Sequence, residues 1–186
     1  MDSIEIMTTG RIELGATGRA VAANLKRLRK ERGMSLRALS EALDRVGRKL
    51  SQDAINKIEN GSEEGTDKQI RRVDVDDLAA LAVVLNVNPS AFLLQPDVVG
   101  RATGDAEITG VGTVPGWLAW GWADGICPLV NPEEDPDGAK WLDYALNSRP
   151  AGWNPAKSVG LNRGREQQRK AFDERFNVFD EGGGDG

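Results

Sequence analysis

Apolar residues recur through the first half of the chain at intervals of three and four, the spacing of one helix face. Val21, Leu25 and Leu28 form the first stripe. It predicts a helix from about Arg19 to Arg32, capped by Thr17 and stopped by Gly33. Leu36, Leu39, Leu43 and Val46 form the second, with Ser35 as N-cap and Gly47 as breaker. The third stripe is narrower: Ala54, Ile55 and Ile58 within the stretch 51–61. There the Ser51 hydroxyl is placed to accept from an otherwise unpaired backbone N–H, and Gly61 to end the helix in the left-handed conformation. Leu78, Leu81, Ala82 and Leu85 behind an Asp74 cap predict a fourth helix. Asn88-Pro89 opens a short fifth, with Pro at the favoured first position, which buries some of Ala91, Phe92, Leu93 and Leu94.

Around these helices the pattern weakens. Residues 1–16 read as an N-terminal arm with a strand-like piece at Arg11-Ile12-Glu13-Leu14, and residues 62–69 as a polar loop. The glycine-rich segment 97–115 reads as a linker. Residues 116–180 form a small, mostly helical accessory region. It holds the cluster Trp117, Trp120 and Trp122, a helix around Trp141–Leu146, and an amphipathic helix over 164–179 carrying Phe172, Phe176 and Phe179. The tryptophans suit either a self-association surface or a small core. The tail, 181–186, is expected to be disordered. The fold class is therefore mainly α: a five-helix domain over 17–96, a linker, and a helical C-terminal region.

Charge changes this picture by being divided. The formal net charge is -5, yet residues 19–61 carry 11 Lys and Arg against 5 Asp and Glu. Residues 97–186 carry 9 against 15. A basic block joined to an acidic remainder fits a nucleic-acid-binding domain with an accessory region. Chemistry is scarce elsewhere. There is no histidine, which excludes His-based catalysis and most zinc sites, and Cys127 is the single cysteine. The acidic run Glu133-Glu134-Asp135-Pro136-Asp137 departs from the EF-hand pattern and reads as a solvated turn. Ala151-Gly152, with Ser148, Ser158 and Lys170 nearby, offers a superficial self-cleavage set, but the strand signals such a domain needs are few. No catalytic residue, metal or cofactor is assigned. With no signal peptide and no run approaching the roughly 18 apolar residues of a membrane span, a soluble cytoplasmic protein is expected.

The third helix turns Gln52, Asp53, Asn56 and Lys57 outward, groups able to read base edges or hold phosphates. With the helix that begins at Ser35 before it, the pair looks like a helix-turn-helix. Ile55-Asn56-Lys57-Ile58-Glu59-Asn60-Gly61, then Leu78-Ala79-Ala80-Leu81-Ala82 and Asn86-Val87-Asn88-Pro89, resemble the lambda-repressor-like (XRE) helix-turn-helix family over about residues 19–95. The stretch Arg71–Leu78 is similar to regulators common in actinobacteria and their phages.

That resemblance implies a five-helix domain whose third helix, 51–59, enters the major groove of double-stranded operator DNA. It implies Gln52, Asp53 and Lys57 near base edges, with Ser51 at the head of that face. Asn56, Arg48 and Lys49 would lie toward phosphates, and Arg71 and Arg72 toward the backbone or minor groove. Asp53 suits either a cytosine amino group or the helix N-terminus. Arg29 and Glu59 match a structural pair that bridges the first and third helices. Three departures stand out: a longer stretch between Leu39 and Ile55, Leu36 where the family often has a polar residue, and the lengthened loop 62–70. The expected function is transcriptional regulation, as a repressor and in one form a phage immunity repressor, acting as a two-fold homodimer as family members commonly do. The alternative is an antitoxin-like autorepressor whose C-terminal region binds a partner protein.

Overall fold

The computed structural model describes residues 12–96 and 104–148. Most of the arm, the segment 97–103, the helix expected over 164–179, the Ala151-Gly152 dipeptide and the tail lie outside the described residues. The chain divides into two compact units between Trp141 and Leu142.

In the first unit, α1 (Ala16–Glu31), α2 (Leu36–Arg45), α3 (Gln52–Asn60) and α4 (Val75–Leu85) are followed by a 3-10 turn at Pro89–Phe92. Their apolar stripes meet in one core of Val21, Leu25, Leu28, Leu39, Leu43, Leu50, Ile55, Ile58, Leu81, Ala82, Leu85 and Phe92. Leu50, in the connection between α2 and α3, is buried there, whereas Val46 is exposed because α2 ends one residue before it. The extra chain between Leu39 and Ile55 is accommodated by the length of α2 and by the connection 46–51. Among the described residues, no helix is long and apolar enough to cross a membrane.

The caps show which expectations need correcting. Ser35 and Ser51 accept from the backbone N–H groups of Ala38 and Ala54, at 3.0 and 3.1 Å. Asp74 caps α4 in a capping box with Asp77. Thr17 is not the cap of α1, which begins at Ala16 after Gly15 and has no side-chain cap at that position. Instead Thr17 and Thr109 exchange bonds: each backbone N–H donates to the other's hydroxyl oxygen at 3.1 Å. A first-turn donor of α1 is thus satisfied by a residue 92 positions away. Gly61 is not left-handed, with φ -72°. What the position demands is room, since a Cβ there would lie 2.5 Å from the Leu14 side chain and 3.2 Å from the Ile58 carbonyl oxygen.

Thr109 belongs to a β-hairpin, and this overturns the linker reading for residues 104–115. Strands β1 (Asp105–Ile108) and β2 (Gly112–Pro115) pair antiparallel in the register Asp105↔Pro115 and Ile108↔Gly112. Gly110, at φ +87°, supplies the turn conformation that a side chain would resist. Ala106 and Ile108 face inward with period two and pack with Leu94 and Ala119. Ala119 comes from α5 (Gly116–Ala123), the tryptophan-rich segment, in which Leu118 is buried and Trp117 is largely exposed. Buried Asn24 ties α1 to this side of the core. Its side-chain amide donates to the carbonyls of Leu94 at 2.6 Å and Phe92 at 3.3 Å.

A second 3-10 turn (Pro132–Glu134) and α6 (Ala139–Asn147) follow, the unit boundary falling within α6. The Asp135 carboxylate accepts from the Lys140 and Trp141 backbone N–H groups, at 3.0 and 2.9 Å, and these bonds hold its pKa below the ordinary carboxylate value. The acidic run is thus partly engaged in starting a helix.

Candidate nucleic-acid interface

Helix α3 is held to the core by Ile55 and Ile58, both almost fully buried. With a rotation of about 100° per residue, burying those two leaves positions 52, 53 and 56 off the buried face. Gln52, Asp53 and Asn56 are all exposed there, and Lys57 is half-buried at the edge. The Lys57 ammonium lies 2.7 Å from the Asp53 carboxylate, one helical turn back. Ser51 serves as the cap of the helix.

The angle of α3 is set by charged groups beneath it. Glu59 is only 5% exposed, and its carboxylate takes a two-pronged bond from Arg29: Nε to Oε1 at 2.6 Å and Nη2 to Oε2 at 2.8 Å. The third Arg29 nitrogen donates to the Met34 carbonyl at 2.8 Å. Planar guanidinium and carboxylate groups matched in this way fix orientation as well as distance. The bond to Glu59 raises the Arg29 pKa above its ordinary value, although burial works against it.

Arg48 and Arg71 are paired with the acids at the start of α4. Arg48 Nε donates to Asp77 Oδ1 at 2.7 Å, and its Nη2 to Asp74 Oδ2 at 2.6 Å. Arg71 Nη2 donates to the other Asp77 oxygen at 2.9 Å. The reason is the burial of Asp77, whose carboxylate is fully removed from water and needs compensating donors. Asp77 sits where it does because it closes the capping box of α4. Arg48 is drawn in from the connection before α3 and Arg71 from the loop after it. The hydrogen bond to Asp77 raises the Arg48 pKa. Asp74 titrates below the ordinary carboxylate value, chiefly because it accepts from the Asp77 backbone N–H and also because Arg48 lies beside it.

The Arg71 backbone N–H also donates to the Lys57 carbonyl at 3.1 Å, closing the loop 62–70 onto the end of α3. Asn60 helps, its side chain donating to the Gln69 carbonyl at 3.2 Å. Arg72 is exposed and donates to the Glu13 carbonyl at 3.1 Å. Lys49 is exposed at the head of α3. Of the residues singled out from sequence, Gln52, Asp53 and Asn56 are exposed on α3 with Lys57 half-buried beside them, and Lys49 is exposed in the connection before the helix. The structure commits Arg48 and Arg71 to Asp77. Asp77 itself escaped sequence reading, because an acid at the third position of a helix ordinarily signals only a surface cap. Among the described residues, no group of three or more His, Cys, Asp or Glu is arranged to hold a metal ion.

Comparison with family models matches residues 25–92 to the helix-turn-helix family. Searches of curated proteins and of solved structures each return no match.

Proposed function

We infer the function from one premise: residues 25–92 form an XRE-like helix-turn-helix domain, and the protein is a DNA-binding transcriptional regulator. On this reading it is a repressor that occupies an operator with α3 in the major groove. The observation that carries the reading is the exposed polar face of Gln52, Asp53 and Asn56 on a helix whose reverse side is fixed by Ile55, Ile58 and the Arg29–Glu59 pair. Rigid support beneath a polar face is what sequence reading requires, because a mobile helix cannot hold a bidentate bond to a base.

Gln52 is assigned to a base edge; its amide matches the N6 and N7 pattern of adenine. Gln52→Ala is expected to weaken binding to the preferred duplex by about 1–3 kcal/mol and to leave unrelated DNA almost unaffected. Titration of both duplexes at one salt concentration checks this. Equal losses on the two would remove the base contact.

Lys49 is assigned to a phosphate. Lys49→Ala should lower affinity for every sequence and reduce the slope of log affinity against log salt by about one unit. Arg48→Ala is expected to leave that slope unchanged and to lower the melting temperature instead, because its guanidinium is bound to Asp74 and Asp77. A salt titration of the two variants side by side separates the contact from the support.

A further inference from the structure

The family match spans residues 25–92, yet two segments outside it are joined to each other, and one of them reaches the C-terminal end of α3. They are the stretch Glu13–Gly15 before α1 and the β1–β2 hairpin. Half-buried Leu14 makes the contact with α3. Its side chain fills the space that a Cβ would need at Gly61, the C-cap of α3, or at Gly18 in α1, at 2.5 and 3.3 Å. Two arginines hold the backbone of this stretch: Arg72 donates to the Glu13 carbonyl at 3.1 Å, and Arg19 to the Leu14 carbonyl at 2.9 Å. Arg19 also lies 3.8 Å from Glu64 in the loop after α3 and 3.5 Å from Glu107 in β1. Gly15 abuts the hairpin, since a Cβ there would lie 2.6 Å from the Thr109 hydroxyl oxygen.

We propose that Leu14 is a positioning residue: the stretch Glu13–Gly15 is a clasp that fixes the C-terminal end of α3, so that DNA affinity depends on a segment outside the family match. This rests on the DNA-binding reading above. A helix of nine residues keeps its shape through packing rather than by its own hydrogen bonds. The first turn of α3 has the Ser51 cap, whereas the last ends at a glycine, the residue that gives the backbone most freedom. At φ -72° that glycine holds a conformation any residue adopts, so what it contributes is room, and the nearest atom in that room belongs to Leu14. The leucine thus secures an end that the glycine leaves loose. Arg72 extends the hold to the segment whose Arg71 N–H closes on the Lys57 carbonyl. No single exposed bond carries the clasp, because the leucine contact, both arginine bonds and the Thr17–Thr109 exchange act on one short stretch of chain.

The test compares the wild-type full chain with Leu14→Ala, Gly61→Ala and the double variant, by amide hydrogen exchange and by titration of the duplex the wild type selects. Leu14→Ala should speed exchange at the amides of residues 58–61 and 71 by about tenfold or more, while those of Leu39 and Leu43 change far less. Affinity for the selected duplex should fall about three- to tenfold. A loss of global stability alone would speed the amides of all four helices together, so the local pattern separates positioning from folding. Gly61→Ala places a methyl group where Leu14 sits, so its effect should largely vanish once residue 14 is alanine. Additive effects in the double variant, or unchanged exchange at 58–61 in Leu14→Ala, overturn the clasp. Local loosening with undiminished affinity overturns the positioning role and leaves DNA binding standing, because the wild type still selects its duplex. A wild-type chain that selects no duplex overturns both.

Discussion

Glu59→Ala is expected to lower the unfolding free energy of the helical domain by about 3–5 kcal/mol, measured by urea denaturation of the full chain. The size follows from what is left behind. Arg29 is 11% exposed, so its guanidinium would keep its charge without its carboxylate and without ready access to water. Small domains are stable by only about 5–15 kcal/mol, so this single change takes a large share of the margin. Replacing both partners with apolar residues, Arg29→Met with Glu59→Leu, should cost much less, because the desolvation of both charges is removed together. A double variant as unstable as Glu59→Ala would show that packing around the pair, and not its charge, sets the effect.

Asp77→Ala should rank second, at about 2–4 kcal/mol. Three things are lost at once: the reciprocal half of the capping box on α4, the bond from Arg48 and the bond from Arg71. The loss is smaller than at Glu59 because both arginines are about a third exposed and can turn to water. Asp77→Asn keeps the shape and one acceptor oxygen, and should recover part of the stability. The same denaturation experiment decides it. Equal stability of wild type and Asp77→Ala would mean that the two arginines contribute nothing through this carboxylate.

On the proposed function, both residues act on DNA reading through geometry. Glu59 holds α3 from beneath, while Asp77 draws together the segments that enter and leave it. The outward face of α3 is a thin polar layer over a charged frame.

How legible this was in the sequence depended on range. Val21, Leu25, Leu28, Leu39, Leu43, Ile55 and Ile58 announce helix faces because helical spacing is local, and all of them are buried. The Ser35, Ser51 and Asp74 caps were readable for the same reason. Partnerships across tens of residues were not. Arg48 and Asp77 are 29 positions apart, and an arginine in a connection looks like any surface cation. Its commitment to Asp77 depends on the burial of that carboxylate, which no local pattern encodes. Asn24 likewise looks like an ordinary polar residue until the carbonyls of Phe92 and Leu94 are brought to it.

The hairpin is a different case. Asp105-Ala106-Glu107-Ile108 alternates polar and apolar, and Thr109-Gly110 supplies the turn. The signal was present, but only four residues long on each side, and the surrounding glycines outweighed it. The exchange between Thr17 and Thr109 then ties this hairpin to the first turn of α1. The structural unit built around the helix-turn-helix therefore runs past residue 92, where the family match ends.

The most direct measurement is selection of bound duplexes from a random pool, run on the full chain and on Gln52→Ala. The expected result is a short enriched motif for the wild type, with the base preference at one position erased in the variant. An inverted repeat of that motif would further identify two copies bound about a two-fold axis. No enrichment by the wild type, or an identical motif from Gln52→Ala, would contradict the claim that the outward face of α3 reads DNA sequence through Gln52.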